Sequence, residues 1–406
     1  MKKRFAIRQA LSSMKQIGQL KRETNRRHRS DQFLKTETIQ IMAGAAFLSA
    51  YTYVPLLARN TIGVSEILVT VIVGGFAGAS FVSSYIFGRA GDVYGRRIVI
   101  RLGLLLATIS FGLLIVASNF ETLLLVRILN GFSVGMYPGA LAAYAYESKM
   151  KMGRFATWGA AGWGLGTVLA GYAAGFNIYY AFLTSTIFLA IAFGSALTLP
   201  QIRREMVKVP WFPIETFKRN VGIYLAVFIR HSSANAIWAL WPLFLYDLGG
   251  DTFSIGIVQA TNAITQVFFM AMVSDRIESK RLVSIGLISS AVTFAWFPFS
   301  HNIIEILPSQ LLLGLSWAAL YVGALKYVTE NNRERSTAAG LLQSVLALSG
   351  VIGPILAAII YTIFPGYAAT MFFAAGMSVL GQLIFWWNNR NDGQTVRVEI
   401  PKIEIL

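Results

Sequence analysis

Twelve apolar stretches, each long enough to cross a bilayer, occupy almost the whole chain after residue 37. The first, Ile39 to Leu57, reads IQIMAGAAFLSAYTYVPLL without a charge. At a rise of 1.5 Å per residue, about twenty such residues span a hydrocarbon core about 30 Å thick. Eleven more follow at 65–87, 98–117, 121–146, 154–175, 178–199, 221–246, 253–274, 281–299, 303–328, 336–362 and 367–387. Within lipid only helices and closed barrels satisfy their own backbone groups, and barrel strands are about ten residues long with alternating polarity. Runs this long and continuous therefore predict an all-α membrane protein of twelve transmembrane helices. A sequence that is 55% hydrophobic and only 13% charged agrees.

The net charge of +16 would suit nucleic acid if it were spread over a soluble surface, but it falls on one side of these helices. Lys2, Lys3, Arg4, Arg8, Lys15, Lys21, Arg22, Arg26, Arg27, Arg29 and Lys35 precede the first stretch. Arg89, Arg96 and Arg97 follow the second, Lys149, Lys151 and Arg154 the fourth, and Arg276, Lys280 and Arg281 the eighth. The long connection 200–220 holds Arg203, Arg204, Lys208, Lys218 and Arg219, and Arg333 and Arg335 follow the tenth stretch. The opposite connections contain one basic residue, Arg59. Basic loops stay in the cytoplasm, so both termini are expected inside the cell membrane, with anionic lipid rather than nucleic acid as the partner of the basic arm. In that arm Phe5, Leu11, Met14, Ile17 and Leu20 recur at roughly helical spacing, which suits an amphipathic helix on the inner leaflet or a disordered basic tail. The arm lacks the apolar core of a cleavable signal peptide. There is no cysteine, which excludes disulfides and thiolate chemistry.

The chain also repeats itself. Asp92, after the second stretch, aligns with Asp275, after the eighth, at an offset of 275 − 92 = 183. The same offset carries Gly131 to Gly314, Tyr144 to Tyr327 and Glu147 to Glu330. The expected organisation is a basic arm 1–37, a six-helix bundle 38–199, a linker 200–220 containing Pro210 and Pro213, a second bundle 221–387 and a tail 388–406. Six helices per repeat is an even number, so the halves run in the same direction about an axis along the membrane normal. Parallel repeats of this kind occur in transporters, with substrate bound near the midplane.

After the second stretch the chain reads Gly88-Arg-Ala-Gly-Asp92-Val-Tyr-Gly95-Arg96-Arg97, which resembles motif A of the major facilitator superfamily, G-x-x-x-D-x-x-G-R-R/K. The second half keeps a degenerate copy around Asp275 and Lys280-Arg281 without the glycines, and Arg127-Ile-Leu-Asn130-Gly131 is similar to the family's motif B. The resemblance covers the chain from the first helix to the twelfth. It implies alternating access by rocking of two halves, with motif A as a latch that holds the outward-facing state. The latch residues expected are Gly88, Asp92, Gly95, Arg96, Arg97, Glu147, Asp275 and Glu330. Glycines allow close approach and a tight turn, and Asp92 suits neighbouring arginines and the positive end of a facing helix. Arg96 and Glu147 are placed to form an ion pair. The fifth stretch departs from the motif C of drug:proton antiporters. It has Gly162-x-x-x-Gly166 and Gly171-x-x-x-Gly175, suited to close helix packing, but no proline, and Gly353-Pro354 lies on the eleventh stretch instead.

Ionisable groups inside a membrane are costly and tend to be functional. Here they are few: Arg127, Arg230, His231 and, near a helix end, Lys326. No buried carboxylate is expected to balance the arginines, so Arg230 is a candidate contact for an anionic or zwitterionic substrate, and His231 is the internal group suited to titration near neutrality. Gln259, Asn262 and Gln266, spaced 3 and 4 apart, share one helix face. With Asn130 and Asn235 they complete the expected substrate and coupling set. There is no phosphate-binding loop, no H-E-x-x-H and no buried pair of carboxylates, so neither an enzyme nor a cofactor or metal site is expected. The expectation is a monomeric secondary transporter that exports amphipathic or drug-like compounds against protons. The alternatives are a transporter of an organic anion or zwitterion using Arg230, and a non-transporting receptor on the same fold.

Overall fold

Almost every described residue is helical, because an apolar backbone without water as a partner must bond to itself. The computed structural model describes residues 31–202, 207–250 and 252–390. The expected amphipathic segment with Phe5, Leu11, Met14, Ile17 and Leu20 lies outside the described residues. The helices are α1 Asp31–Thr61, α2 Glu66–Val93, α3 Arg96–Gly112, α4 Phe120–Glu147, α5 Met152–Phe176, α6 Ile178–Leu197 and a short α7 Ile214–Arg219. There follow α8 Val221–Asp247, α9 Thr252–Met272, α10 Ser279–Trp296, α11 Ile303–Glu330, α12 Arg335–Ile363 and α13 Tyr367–Asn389. Among the described residues ten are long and apolar enough to cross a membrane. The other two long helices are α5, diluted by glycine, and α8, diluted by Arg230, His231, Ser232, Ser233 and Asn235. Twelve long helices are thus present among the described residues, and composition alone qualifies ten.

Local chemistry explains the main irregularities. Asn119 caps α4 reciprocally: its Oδ1 accepts from the Thr122 N–H at 2.9 Å, and Thr122 Oγ1 accepts from the Asn119 N–H at 3.2 Å. Pro138 interrupts α4 at Tyr137 because it has no N–H to donate to the preceding turn. The last turn of α1, Leu57–Thr61, widens to a π-helix. α1 also starts earlier than the apolar stretch, so Glu37 lies inside the helix.

The chain forms two compact units. The first is Met1–Trp211 with Gln266–Arg276 and Val328–Ser344, and the second is Phe212–Thr265, Ile277–Tyr327 and Val345–Leu406. This division differs from an even split at the linker, because the basic ends of α9, α11 and α12 group with the first unit. In that unit Gly162 and Gly166 of α5 sit directly on the Ile41 and Ala45 carbonyls of α1, where a Cβ has no room. The second unit has an aromatic core in which Trp241, Phe244, Phe294 and Phe297 pack with Leu245, Ile306 and Met371.

Candidate functional site

The turn after α2 is fixed by one glycine. Gly95 has φ +105°, which penalises any side chain, and it launches α3 at Arg96. Arg96 thereby returns to α2, where its Nη2 donates to Asp92 Oδ1 at 3.0 Å. Both side chains are buried, Asp92 4% and Arg96 7% exposed, so each charge needs a partner. Arg96 also pairs with Glu147 at the end of α4, and Glu147 lies 3.6 Å from Arg335. The other oxygen of Asp92 accepts from the Thr337 N–H and from the Thr337 hydroxyl, each at 2.8 Å. Thr337 is in the first turn of α12, where the backbone N–H groups have no intrahelical acceptor and the helix end is partly positive. Asp92 is therefore a capping anion for a helix of the second sequence half. One turn back, Gly88 meets Gly340 of α12 backbone to backbone.

Asp275 makes the matching contact. It sits in the turn Ser274–Arg276 after α9 and accepts from the Gly153 N–H at 2.9 Å and the Arg154 N–H at 3.2 Å. These open α5. The two partners obey the repeat, since 337 − 154 = 183 is the offset that relates the two aspartates. Arg154 extends the cluster: its guanidinium pairs with Glu37 of α1, which is 7% exposed, and lies 5.3 Å from the ring centre of Phe33.

Two expected latch residues stand apart. Glu330, the counterpart of Glu147, is exposed and makes no ion pair among the described residues. The offset explains this, because 96 + 183 = 279 and position 279 is Ser, so the second copy has no guanidinium where the first has Arg96. Arg97 is half-buried and joins none of these ion pairs, with its Nε unpartnered among the described residues. Glu147→Gln is accordingly expected to lower transport severalfold, whereas Glu330→Gln leaves it at the wild-type rate. Initial uptake rates in proteoliposomes containing matched amounts of protein check both.

The interior polar residues divide into two groups. Arg127, 2% exposed, lies with its guanidinium 4.2 Å from the Phe76 ring centre. Its Nε and both side-chain polar atoms of the fully buried Asn130, one turn along α4, have no partner among the described residues. Arg230, 1% exposed, is by contrast well held: Nε donates to Ser290 Oγ at 2.8 Å and Nη2 to Ser316 Oγ at 3.1 Å. The two hydroxyls are 2.6 Å apart, and the guanidinium lies 5.1 and 5.7 Å from the ring centres of Phe294 and Trp317. Arg230, the candidate contact for an anionic or zwitterionic substrate, is thus anchored to α10 and α11 through two neutral hydroxyls. His231 stacks on Trp317 at 4.8 Å and 20°, Trp317 stacks on Tyr321 at 5.4 Å, and Asn235 Nδ2 donates to the His231 carbonyl at 2.9 Å. On α9 Gln259 is exposed, while Asn262 and Gln266 are half-buried. Serine and threonine partners such as Ser290, Ser316 and Thr337 carry no distinctive sequence signal, but Thr337 and Arg154 could have been found from the repeat offset.

The family model described as Major Facilitator Superfamily matches residues 39–221 and 223–401. The multi-drug resistance efflux pump PmrA of Streptococcus pneumoniae is 25% identical over 85% of this chain and 92% of its own length. The quinolone resistance protein NorA of Staphylococcus aureus is 22% identical, over 83% and 92%. The class B tetracycline resistance protein of Escherichia coli is 27% identical, over 68% and 74%. Among solved structures, the human organic anion transporter MFSD10 (TETRAN) superposes with a TM-score of 0.73 at 15% identity, covering 88% of this chain and 99% of that one.

Proposed function

Because the chain belongs to the major facilitator superfamily, we propose that this membrane transporter, which is not an enzyme, exports amphipathic, drug-like compounds in exchange for protons. The observation that carries the reading is the set of relatives named for multidrug efflux, quinolone resistance and tetracycline resistance, two of which align over more than four-fifths of this chain. The likeness to an organic anion transporter at 15% identity speaks for the fold alone. The anion-site alternative would need Arg230 donors to reach a substrate, and two of them are bonded to Ser290 and Ser316.

The basic ends of the helices face the cytoplasm in this reading, with both termini inside and the protein acting as a monomer. Asp92 on α12 and Asp275 on α5 close that face in the outward-facing state, and substrate and proton binding release them so that the two halves, 38–199 and 221–387, rock. Arg127 and Asn130, buried with polar atoms unpartnered among the described residues, belong to the substrate and coupling set of the first half in this reading. Gln259, Asn262 and Gln266 supply polar contacts for substrate, and the stack of His231, Trp317 and Tyr321 supplies an aromatic surface suited to a flat or cationic one.

Expression in an efflux-deficient bacterium tests this reading. Tolerance of a lipophilic cation such as ethidium is expected to rise severalfold, and extrusion of preloaded dye to stop when a protonophore collapses the proton gradient. Binding without flux in proteoliposomes would instead identify a receptor. Flux indifferent to the proton gradient would remove the proton from the mechanism.

A further inference from the structure

Arg154, in the first turn of α5, takes part in contacts with two different acids. Its backbone N–H donates to Asp275 Oδ2 at 3.2 Å, beside the Gly153 N–H that donates to Oδ1 at 2.9 Å. Its guanidinium turns instead to α1, where it pairs with Glu37 and lies 5.3 Å from the ring centre of Phe33, one turn earlier on that helix. Glu37 is 7% exposed and is fixed relative to α5, because the two helices meet backbone to backbone, with Gly44 at the Gly159 carbonyl and Gly162 at the Ile41 carbonyl. All of these residues lie in the first unit.

The repeat shows what the Arg154 side chain would otherwise do. Its counterpart at the offset of 183 is Thr337, and there the side chain does reach the capping acid: the hydroxyl donates to Asp92 Oδ2 at 2.8 Å, alongside the N–H of the same residue. The counterpart of Glu37 is Asn220, since 37 + 183 = 220, so the acid on the neighbouring helix is present where the capping residue is a cation and absent where it is a threonine. A guanidinium on Asp275 would add a charge-assisted bond to the two backbone bonds and make the contact harder to break.

We propose that Glu37 is a positioning residue that holds the Arg154 guanidinium off Asp275, so that the Asp275 contact stays a pair of backbone bonds and releases readily in each transport cycle. The inference rests on the reading of Asp275 as part of the cytoplasmic latch. In Glu37→Gln the amide is a weaker acceptor than the Asp275 carboxylate, and the guanidinium transfers to Asp275. The Arg154 side chain is 51% exposed, so no buried charge is stranded by the change.

Two measurements on the full chain test it. In the Arg154→Lys protein a carbodiimide, which joins an amine to a carboxylate in direct contact with it, is expected to link position 154 mainly to Glu37. Adding Glu37→Gln is expected to move the link to Asp275 and to raise that product about tenfold, read by mass spectrometry of the digested protein. The initial rate of ethidium flux in proteoliposomes is expected to fall about fivefold in Glu37→Gln, the factor that a partly exposed ion pair supplies. In Glu37→Gln/Arg154→Gln the rate is expected to return to that of Arg154→Gln alone, which a merely structural role for Glu37 does not produce. A link to Asp275 as abundant with Glu37 as without it, no link to Asp275 in the Glu37→Gln background, or a rate equally low whether or not Arg154 is replaced would overturn the proposal and leave the latch reading standing. A wild-type rate for Asp275→Asn would overturn the latch reading and the role of Glu37 with it.

Discussion

Asp92→Asn is expected to abolish most transport while the protein still reaches the membrane. The carboxylate of Asp92 accepts from the Thr337 N–H, from the Thr337 hydroxyl and from Arg96, all in a buried setting. An amide at that position has one oxygen where the carboxylate has two, and it turns an NH₂ toward either a guanidinium or a backbone donor. It also removes the anion from the first turn of α12. Together these losses are worth about 2 kcal/mol, a shift of roughly thirty-fold in the balance between a closed and an open latch. Arg96 keeps Glu147, so no buried charge is orphaned and folding is expected to hold. Asp275→Asn keeps one oxygen for the two backbone donors at α5, so one of them loses its acceptor, and the change is expected to act in the same direction. Initial transport rates in proteoliposomes, normalised to protein incorporated, check both. A wild-type rate for Asp92→Asn would remove this acid from the mechanism.

Arg230→Ala is expected to lower stability by about 3 kcal/mol or more, because truncation leaves a cavity and frees Ser290 and Ser316 from their donor. Arg230→Met fills the same space without a charge to desolvate, and replacing a buried ion by an apolar residue of similar volume is often neutral or stabilising. The methionine variant is therefore expected to unfold near the wild-type temperature. Arg230→Lys keeps the charge but cannot bridge both serines, and falls between the two. Tryptophan fluorescence during thermal unfolding in detergent measures the series. An alanine variant as stable as wild type that has lost only the binding of an organic anion would favour the anion-site alternative.

The sequence carried the architecture well because membrane solvation writes it in long, uncharged runs. It also carried the positions of the two aspartates, since a basic loop and a repeated acid mark the ends of helices. The repeat offset reaches further, since it connects Thr337 to Arg154 as it connects Asp92 to Asp275, yet backbone donors leave no side-chain signature. It misled at Glu330, where the acid is repeated but its guanidinium is replaced by Ser279. Arg230 shows the limit of counting charges along a helix. Two serines on other helices and the faces of Phe294 and Trp317 accommodate it, and none of these announces itself in sequence. Glu37 was hidden for a different reason, because α1 continues below the apolar run that defined it.

The central claim is that Asp92 holds α12 at the basic face and that transport requires its release. The chain has no cysteine, so Tyr94→Cys and Arg333→Cys introduce two unique spin labels in the first unit. Double electron–electron resonance in liposomes then measures the distance across the latch. The account predicts one short distance in the resting protein, a second population several ångströms longer when substrate and a proton gradient are supplied, and dominance of that longer population in the Asp92→Asn background without either. A single distance distribution, the same in both backgrounds and in every condition, would contradict it.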